Sequence, residues 1–442
     1  MELHKQFLRA VLPSMLAFAL SGVYAIADGF FVGNALGDQA LAAINVAYPL
    51  TAFLQAVGTG IGMGGAVQYA ISMGSGDEPL AKRYFTISLA LLAAASLLLT
   101  PLFLLGAERV LLLFGAQDDI LVLGEEYIRW VSVGAAFQIL GTGTVPFIRN
   151  MGGSVAAMTA MVAGFCTNIL LDYLLVWKFP LGMAGAAAAT AIGQGVTAAV
   201  CLGYFMLRKV RLSWDLGGRG PALVRRVLTV GLSPFGLTFS PNIALILINK
   251  SAAIYGGAAA VTCYAPVSYI ASVIMLLLQG VSDGSQPLVS RSYGEGRQER
   301  ADRFRNMAYL LSFVTALLSG GGIYLLRDQV AALFGASPEV AAEVARILPI
   351  FLVGFLFMAV SRVATACFYA TGRDLWACML IYGEPLALLG LLAVLPALAG
   401  GVDGTWLAVP ASQLTAMLLS MIFMVLERRR SDAQGAPRTE DR

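Results

Sequence analysis

The stretch "GVYAIADGFFVGNALG", Gly22 to Gly37, places one carboxylate, Asp28, in a run that is otherwise apolar or small. Whether that acid belongs to a core, a surface or a membrane depends on the solvent in which the chain folds. Of 442 residues, 58% are hydrophobic and only 12% charged, against roughly 25% charged in soluble domains. With a mean hydropathy of +0.77, this is the composition of an integral membrane protein.

A bilayer core of ~30 Å needs about 20 apolar residues of helix, because hydrocarbon leaves no partner for an unpaired backbone amide. With Gly, Pro and charge clusters as breaks, helices are predicted at roughly 10–33, 43–70, 84–105, 125–148, 155–177 and 183–207. Six more follow at roughly 229–254, 262–288, 306–326, 345–369, 376–397 and 404–426. The chain is therefore read as all-α, with twelve transmembrane helices and both termini on one side.

Most of the 29 Lys and Arg residues fall in the termini and alternate loops, including Lys82, Arg83, Arg149 and the segment between Arg291 and Arg305. The opposite loops and helix ends hold only Arg109, Arg129, Lys178, Arg327 and Arg346. By the positive-inside rule the termini face the cytoplasm. The net charge of +3 then reflects topology and implies no nucleic-acid partner. The five cysteines lack C-x-x-C spacing and read as packing residues.

The chain also resembles itself. A shift of 220 positions superimposes "LFGA" at Leu113–Ala116 on "LFGA" at Leu333–Ala336, and pairs Gly76 with Gly296, Arg83 with Arg303 and Gly152 with Gly372. A repeat of half the chain length across six helices means two halves of the same orientation, a transporter signature. The expected division is a six-helix lobe at 1–210, a basic cytoplasmic linker at 211–226, a second lobe at 227–428 and a disordered cytoplasmic tail at 429–442. The same internal image argues that the first helix is retained rather than cleaved as a signal peptide.

Comparing the halves shows where chemistry concentrates. Asn168 and Asp172 are spaced i, i+4 on one helix face, and Thr190 lies in the next helix. Their images at an offset of 220 are Leu388 and Leu392, so an acidic cluster belongs to the first half alone. Asp28, Asn168, Asp172 and Thr190 form a candidate coupling-cation site. Four oxygen-bearing side chains suit a hard cation such as Na+. A buried carboxylate pair can hold H+ instead, since desolvation and mutual repulsion both favour the protonated form. Intramembrane acids that serve only as helix caps or ion-pair partners are the alternative, although their placement is costly enough to read as functional. Tyr127 is a weaker candidate, because Tyr also gathers at membrane interfaces.

The stretch "YAIADGFFVGNALGDQALAAINVAYP" resembles the first helix and following loop of multidrug and toxic compound extrusion (MATE) transporters, and the resemblance extends across all twelve helices. It includes the acid of helix one (Asp28), the Asn-x-x-x-Asp of helix five (Asn168, Asp172), the hydroxyl of helix six (Thr190), "YGG" at Tyr255–Gly257 and "QPL" at Gln286–Leu288. The resemblance implies a MATE-like architecture of two six-helix lobes around a central cavity. It further implies a monomeric secondary antiporter of a prokaryotic plasma (inner) membrane, with no cofactor beyond Na+ or H+, in contact with membrane lipids. Its substrates would be small organic, cationic or amphipathic compounds exported by alternating access.

One departure from the family pattern concerns the second half. Where many relatives carry acids on helices seven and ten, this chain has Lys250 and Arg362. A second cation site there is not expected, and Glu384 and Asp283 are the candidate ion-pair partners of Lys250. These residues are alternatively a substrate site. A lipid-linked oligosaccharide flippase of the same superfamily is the competing function, for which Lys250 and Arg362 would supply the cationic cavity.

An intramembrane enzyme lacks a convergent catalytic set. Gly280-Val281-Ser282-Asp283-Gly284 fits a hydrolase elbow without the strand that motif requires, and the sole histidine is His4 in the terminal tail. Gly60-x-Gly62-x-x-Gly65 fits a dinucleotide fingerprint but sits in an apolar helix, where small residues permit close packing instead.

Overall fold

The computed structural model describes residues 2–113, 117–215, 217–329 and 338–435. Its helices are α1 (Glu2–Leu36), α2 (Asp38–Gly74), α3 (Glu78–Leu113), α4 (Asp118–Val133), α5 (Ala135–Asn150), α6 (Ser154–Asp172) and α7 (Gly182–Leu207). They continue as α8 (Gly220–Gly294), α9 (Gln298–Leu325), α10 (Pro338–Ala370), α11 (Asp374–Leu398) and α12 (Val402–Gly435). Among the described residues, ten helices are long and apolar enough to cross a membrane. The pair α4 and α5, bent by 56° at Gly134, makes an eleventh span. Helix α8, at 75 residues, is two spans joined at Gly257 (φ 65°, ψ −163°). The twelve expected spans are thus present, each near its predicted position.

The duplication appears in the backbone itself. Gly37 (φ 85°, ψ −178°) ends α1, and its image at the 220-residue offset is Gly257. Both need a conformation that residues bearing a Cβ rarely adopt. The positive φ values of Gly76 and Gly296, and of Gly152 and Gly372, follow the same spacing. The repeated "LFGA" segments lie outside the described residues except for Leu113, as does the end of the predicted tail from residue 436.

The described residues form two compact units. The first contains the chain up to Asn242 together with Met275–Ala308 and Tyr369–Gly372. Its helices approach through glycine: a Cβ on Gly62 of α2 would collide with the backbone of Gly143 on α5, and one on Gly64 with the carbonyl oxygen of Val227 on α8. Phe85, Phe147 and Phe205 fill the adjoining space edge to face, with centroids 5.0–5.1 Å apart.

The second unit contains Ile243–Ile274, Tyr309–Phe368 and the described residues from Arg373 onward. Its core is Trp406, 1% exposed, stacked on Tyr264 at 5.6 Å and beside Phe351 at 6.0 Å. A hydroxyl pair, Ser251 and Thr405 at 2.7 Å, ties α8 to α12.

Because Gly62 packs directly on the backbone of Gly143, α2 and α5 cannot accommodate even a methyl without separating. Gly62→Ala should destabilise the protein by roughly 1–3 kcal/mol, read as a lowered melting temperature in detergent. Gly203→Ala, which faces open space within α7, should not lower the melting temperature, since Ala favours helix over Gly.

Candidate functional site

The polar cluster is built on α1, α4, α6 and α7, all in the first unit. Asp172 closes α6 and is fully buried, and Asn168 one turn earlier is 2% exposed. Small residues let α7 come close enough to complete the site. A Cβ on Gly193 would stand 2.9 Å from that of Asn168, so only glycine allows this approach. Asn168 Nδ2 donates to Thr190 Oγ1 at 3.4 Å, and the hydroxyl of Thr190 is anchored on the Ala186 carbonyl at 3.2 Å.

Asp28, half-buried on α1, brings its carboxyl group against that of Asp172. The two meet acceptor to acceptor. Both carboxylate oxygens of Asp172 and Oδ1 of Asn168 are buried without a hydrogen-bond donor. Unsatisfied buried acceptors are expensive, and three of them converging beside a second acid call for a positive charge. Among the described residues no group of three or more His, Cys, Asp or Glu could hold a metal ion. The cluster therefore offers two carboxylates and neutral oxygens, a donor set that fits one monovalent cation or a shared proton.

Tyr127 of α4, 6% exposed, joins this cluster rather than a membrane interface, and its hydroxyl approaches Thr190. Tyr24, one turn before Asp28, does the same; its ring stacks on Phe165 at 5.1 Å and 7°. Sequence reasoning missed Tyr24. The signal was available, because i, i+4 spacing puts Tyr24 on the face of Asp28. Immediately after Asp172 the chain makes a π-helical turn, Tyr173–Lys178, a distortion that recurs at functional sites. Trp177 in that turn packs edge to face on Phe31 of α1 at 5.4 Å, coupling the turn to the helix that carries Asp28.

The residues proposed around Lys250 are not brought together in this way. Asp283 is not the partner of Lys250: it binds Arg149, whose Nη1 donates to Asp283 Oδ2 at 3.2 Å with both side chains about 95% buried. Arg149 in turn is no exposed loop charge. It lies in the last turn of α5, with its guanidinium 5.2 Å from the centre of the Phe18 ring. Gln279 Nε2 donates to the other carboxylate oxygen of Asp283 at 2.6 Å.

One residue on, Asn150 and Gln286 exchange amide hydrogen bonds at 3.1 and 3.2 Å. Gln286 continues to Ser290, which donates to the Ala370 carbonyl at 3.0 Å. Lys250, Arg362 and Glu384 all lie in the second unit. Lys250 is exposed, Glu384 half-buried and Arg362 buried, and no carboxylate stands within 4.0 Å of Lys250 among the described residues.

A family model described as MatE matches residues 13–174 and 237–392. The multidrug export protein MepA of Staphylococcus aureus is 23% identical over 429 residues, covering 96% of this chain and 94% of that protein. MepA of Staphylococcus haemolyticus is 22% identical over 435 residues, covering 97% and 95%. Among solved structures, an outward-facing multidrug resistance MATE family transporter of the MOP superfamily superposes with a TM-score of 0.90 at 22% identity, covering 96% of this chain and 95% of that one. A MOP superfamily transporter from Pyrococcus furiosus, whose description notes a reversed polarity of its binding pocket, gives 0.88 at 24% identity, covering 96% and 95%. The fold implied by the sequence resemblance is thereby borne out.

Removing one partner of a buried ion pair leaves an uncompensated charge, so Arg149→Met should destabilise the protein by about 3–5 kcal/mol. The double variant Arg149→Met/Asp283→Leu should recover most of that loss. Thermal unfolding of the two single and one double variant measures the coupling.

Proposed function

This chain belongs to the MatE family of multidrug and toxic compound extrusion transporters, membrane proteins and not enzymes, and from that premise we propose that it is a cation-coupled antiporter. In this reading it exports small organic compounds, cationic or amphipathic, by alternating access while Na+ or H+ moves inward through the cluster of Asp28, Asn168, Asp172 and Thr190. The protein is proposed to sit with both termini in the cytoplasm, following its charge distribution. The lobes are proposed to divide near residues 211–226.

The observation that supports this reading most directly is the meeting of Asp28 with Asp172, whose two carboxylate oxygens are buried with no hydrogen-bond donor, as is Oδ1 of Asn168. Neutralised by one bound cation, Asp28 and Asp172 can stay together. Without it they repel in a medium of low dielectric, which favours displacement of α1 from α6. The Tyr24–Phe165 stack and the Phe31–Trp177 contact would transmit that movement along α1 and the π turn. A two-state element biased by one charge is the physical content of such coupling.

Coupling is testable by dye uptake into proteoliposomes under separately imposed Na+ and proton gradients, with wild type and Asp28→Asn. One gradient should drive uptake and the other should not, and Asp28→Asn should abolish the driven component while leaving the protein folded. Gradient-driven uptake that survives the substitution would remove this site from the coupling role.

Lys250, with no carboxylate within 4.0 Å among the described residues, is proposed to face substrate. A fixed cation should disfavour cationic ligands and tolerate anionic or zwitterionic ones. Lys250→Met is therefore expected to lower the KM for a monocationic dye several-fold and to raise it for a zwitterionic one. Equal changes for both dyes would assign Lys250 a structural role.

A further inference from the structure

The junction of α8 and α9 gathers arginine around a single acid. Glu295 caps the end of α8, and Gly296 (φ 70°) turns the chain into α9. Arg291 Nε, Arg297 Nη1 and Arg300 Nη1 each stand 3.4 Å from a Glu295 carboxylate oxygen. One carboxylate balances one guanidinium, so the group retains two positive charges. Arg300 is further held by α1, where Gln6 Oε1 accepts from Nη2 at 2.9 Å, and its Nε is buried with no acceptor. Positive-inside topology alone would scatter these charges over a solvated loop. Here Arg291 and Arg300 line one partly open space.

That space is a cavity of ≈ 290 Å³, formed by Arg291, Glu295 and Arg300 together with Gln6 and Ser292, and walled on its apolar side by Leu288 and Phe304. It lies at the lower edge of the usual range of roughly 300–1,000 Å³ for small-molecule pockets. Its level in the membrane follows from its parts: the second span of α8 ends there, and α1 and α9 begin there. Guanidinium forks match the oxygens of a phosphate group, and a buried donor without an acceptor invites one. An apolar wall next to such donors suits a ligand that is charged at one end and apolar at the other.

We propose that this cavity binds the phosphate headgroup of an anionic membrane lipid, seated between α1, α8 and α9 in the leaflet where the chain begins. Basic pockets at helix ends on the positively charged side of a membrane protein are suited to such lipids. The assignment concerns neither the coupling site nor the exported compound, and it stands independently of both. In the absence of lipid, Glu295 keeps the three guanidiniums from repelling one another; with lipid bound, it competes with the phosphate for them.

The test uses the full chain purified in a neutral detergent. Native mass spectrometry measures retained lipid, and thermal unfolding is followed as phosphatidylglycerol, phosphatidylcholine or inorganic phosphate is added. Wild type should retain phosphatidylglycerol and melt at a higher temperature with it, but not with phosphatidylcholine. Inorganic phosphate should have little effect.

Arg291→Gln/Arg300→Gln should weaken phosphatidylglycerol binding by roughly tenfold or more, the worth of charge-assisted hydrogen bonds. Glu295→Gln should strengthen it, a gain that a merely structural carboxylate would not produce. Equal protection by phosphatidylcholine, or weaker retention in Glu295→Gln, would overturn the proposal. Inorganic phosphate matching phosphatidylglycerol would replace the lipid with a soluble anion and overturn it too.

Discussion

Inside a bilayer a backbone amide has no water to bond, so each span must satisfy its hydrogen bonds within itself. The described spans of this chain obey that constraint as helices, and the departures from regular helix are correspondingly informative. The π turn begins directly after Asp172. The 56° bend at Gly134 ends the helix that carries Tyr127, and Gly257 divides α8 a few residues beyond Lys250. Two of the three adjoin the polar cluster of the first unit. Irregular backbone there re-aims side chains toward the buried acids.

Once helices are obligatory, close packing decides what the interior can hold. Glycine at positions 62, 64, 143 and 193 removes side-chain bulk where helices meet, and the resulting separation sets the reach of polar side chains. Gly193 brings α7 against Asn168, which places Thr190 within hydrogen-bonding distance. The Arg149–Asp283 pair and the Asn150–Gln286 exchange are likewise bridges between α5 and α8, distant in sequence and adjacent in space. A buried ion pair adds little net stability over an apolar isostere. What it does add is a strong penalty for any arrangement in which its partners separate.

The architecture was legible because hydropathy, Gly/Pro breaks and the 220-residue repeat all report on one-dimensional constraints. The repeat is present even in backbone torsions, as at Gly37 and Gly257. Asp28, Asn168, Asp172 and Thr190 could be named because acids are rare in apolar spans and i, i+4 spacing fixes a shared face. Tyr127 was harder to read: an aromatic hydroxyl near a predicted helix end has the same sequence signature whether it faces lipid headgroups or a buried carboxylate.

Sequence by itself determined the membrane setting, the helical class, the duplicated halves and the restriction of the Asn168–Asp172 acidic cluster to the first half, since each follows from composition or spacing along the chain. Only the tertiary structure decided pairing. It joined Asp283 to Arg149 rather than to Lys250, withdrew Arg149 from the loop where its charge had placed it, and left Lys250 with no carboxylate within 4.0 Å among the described residues. It also folded three arginines around Glu295 against α1. Charges find partners through space, over distances that depend on helix rotation and interhelical separation, and neither quantity is encoded in residue spacing alone.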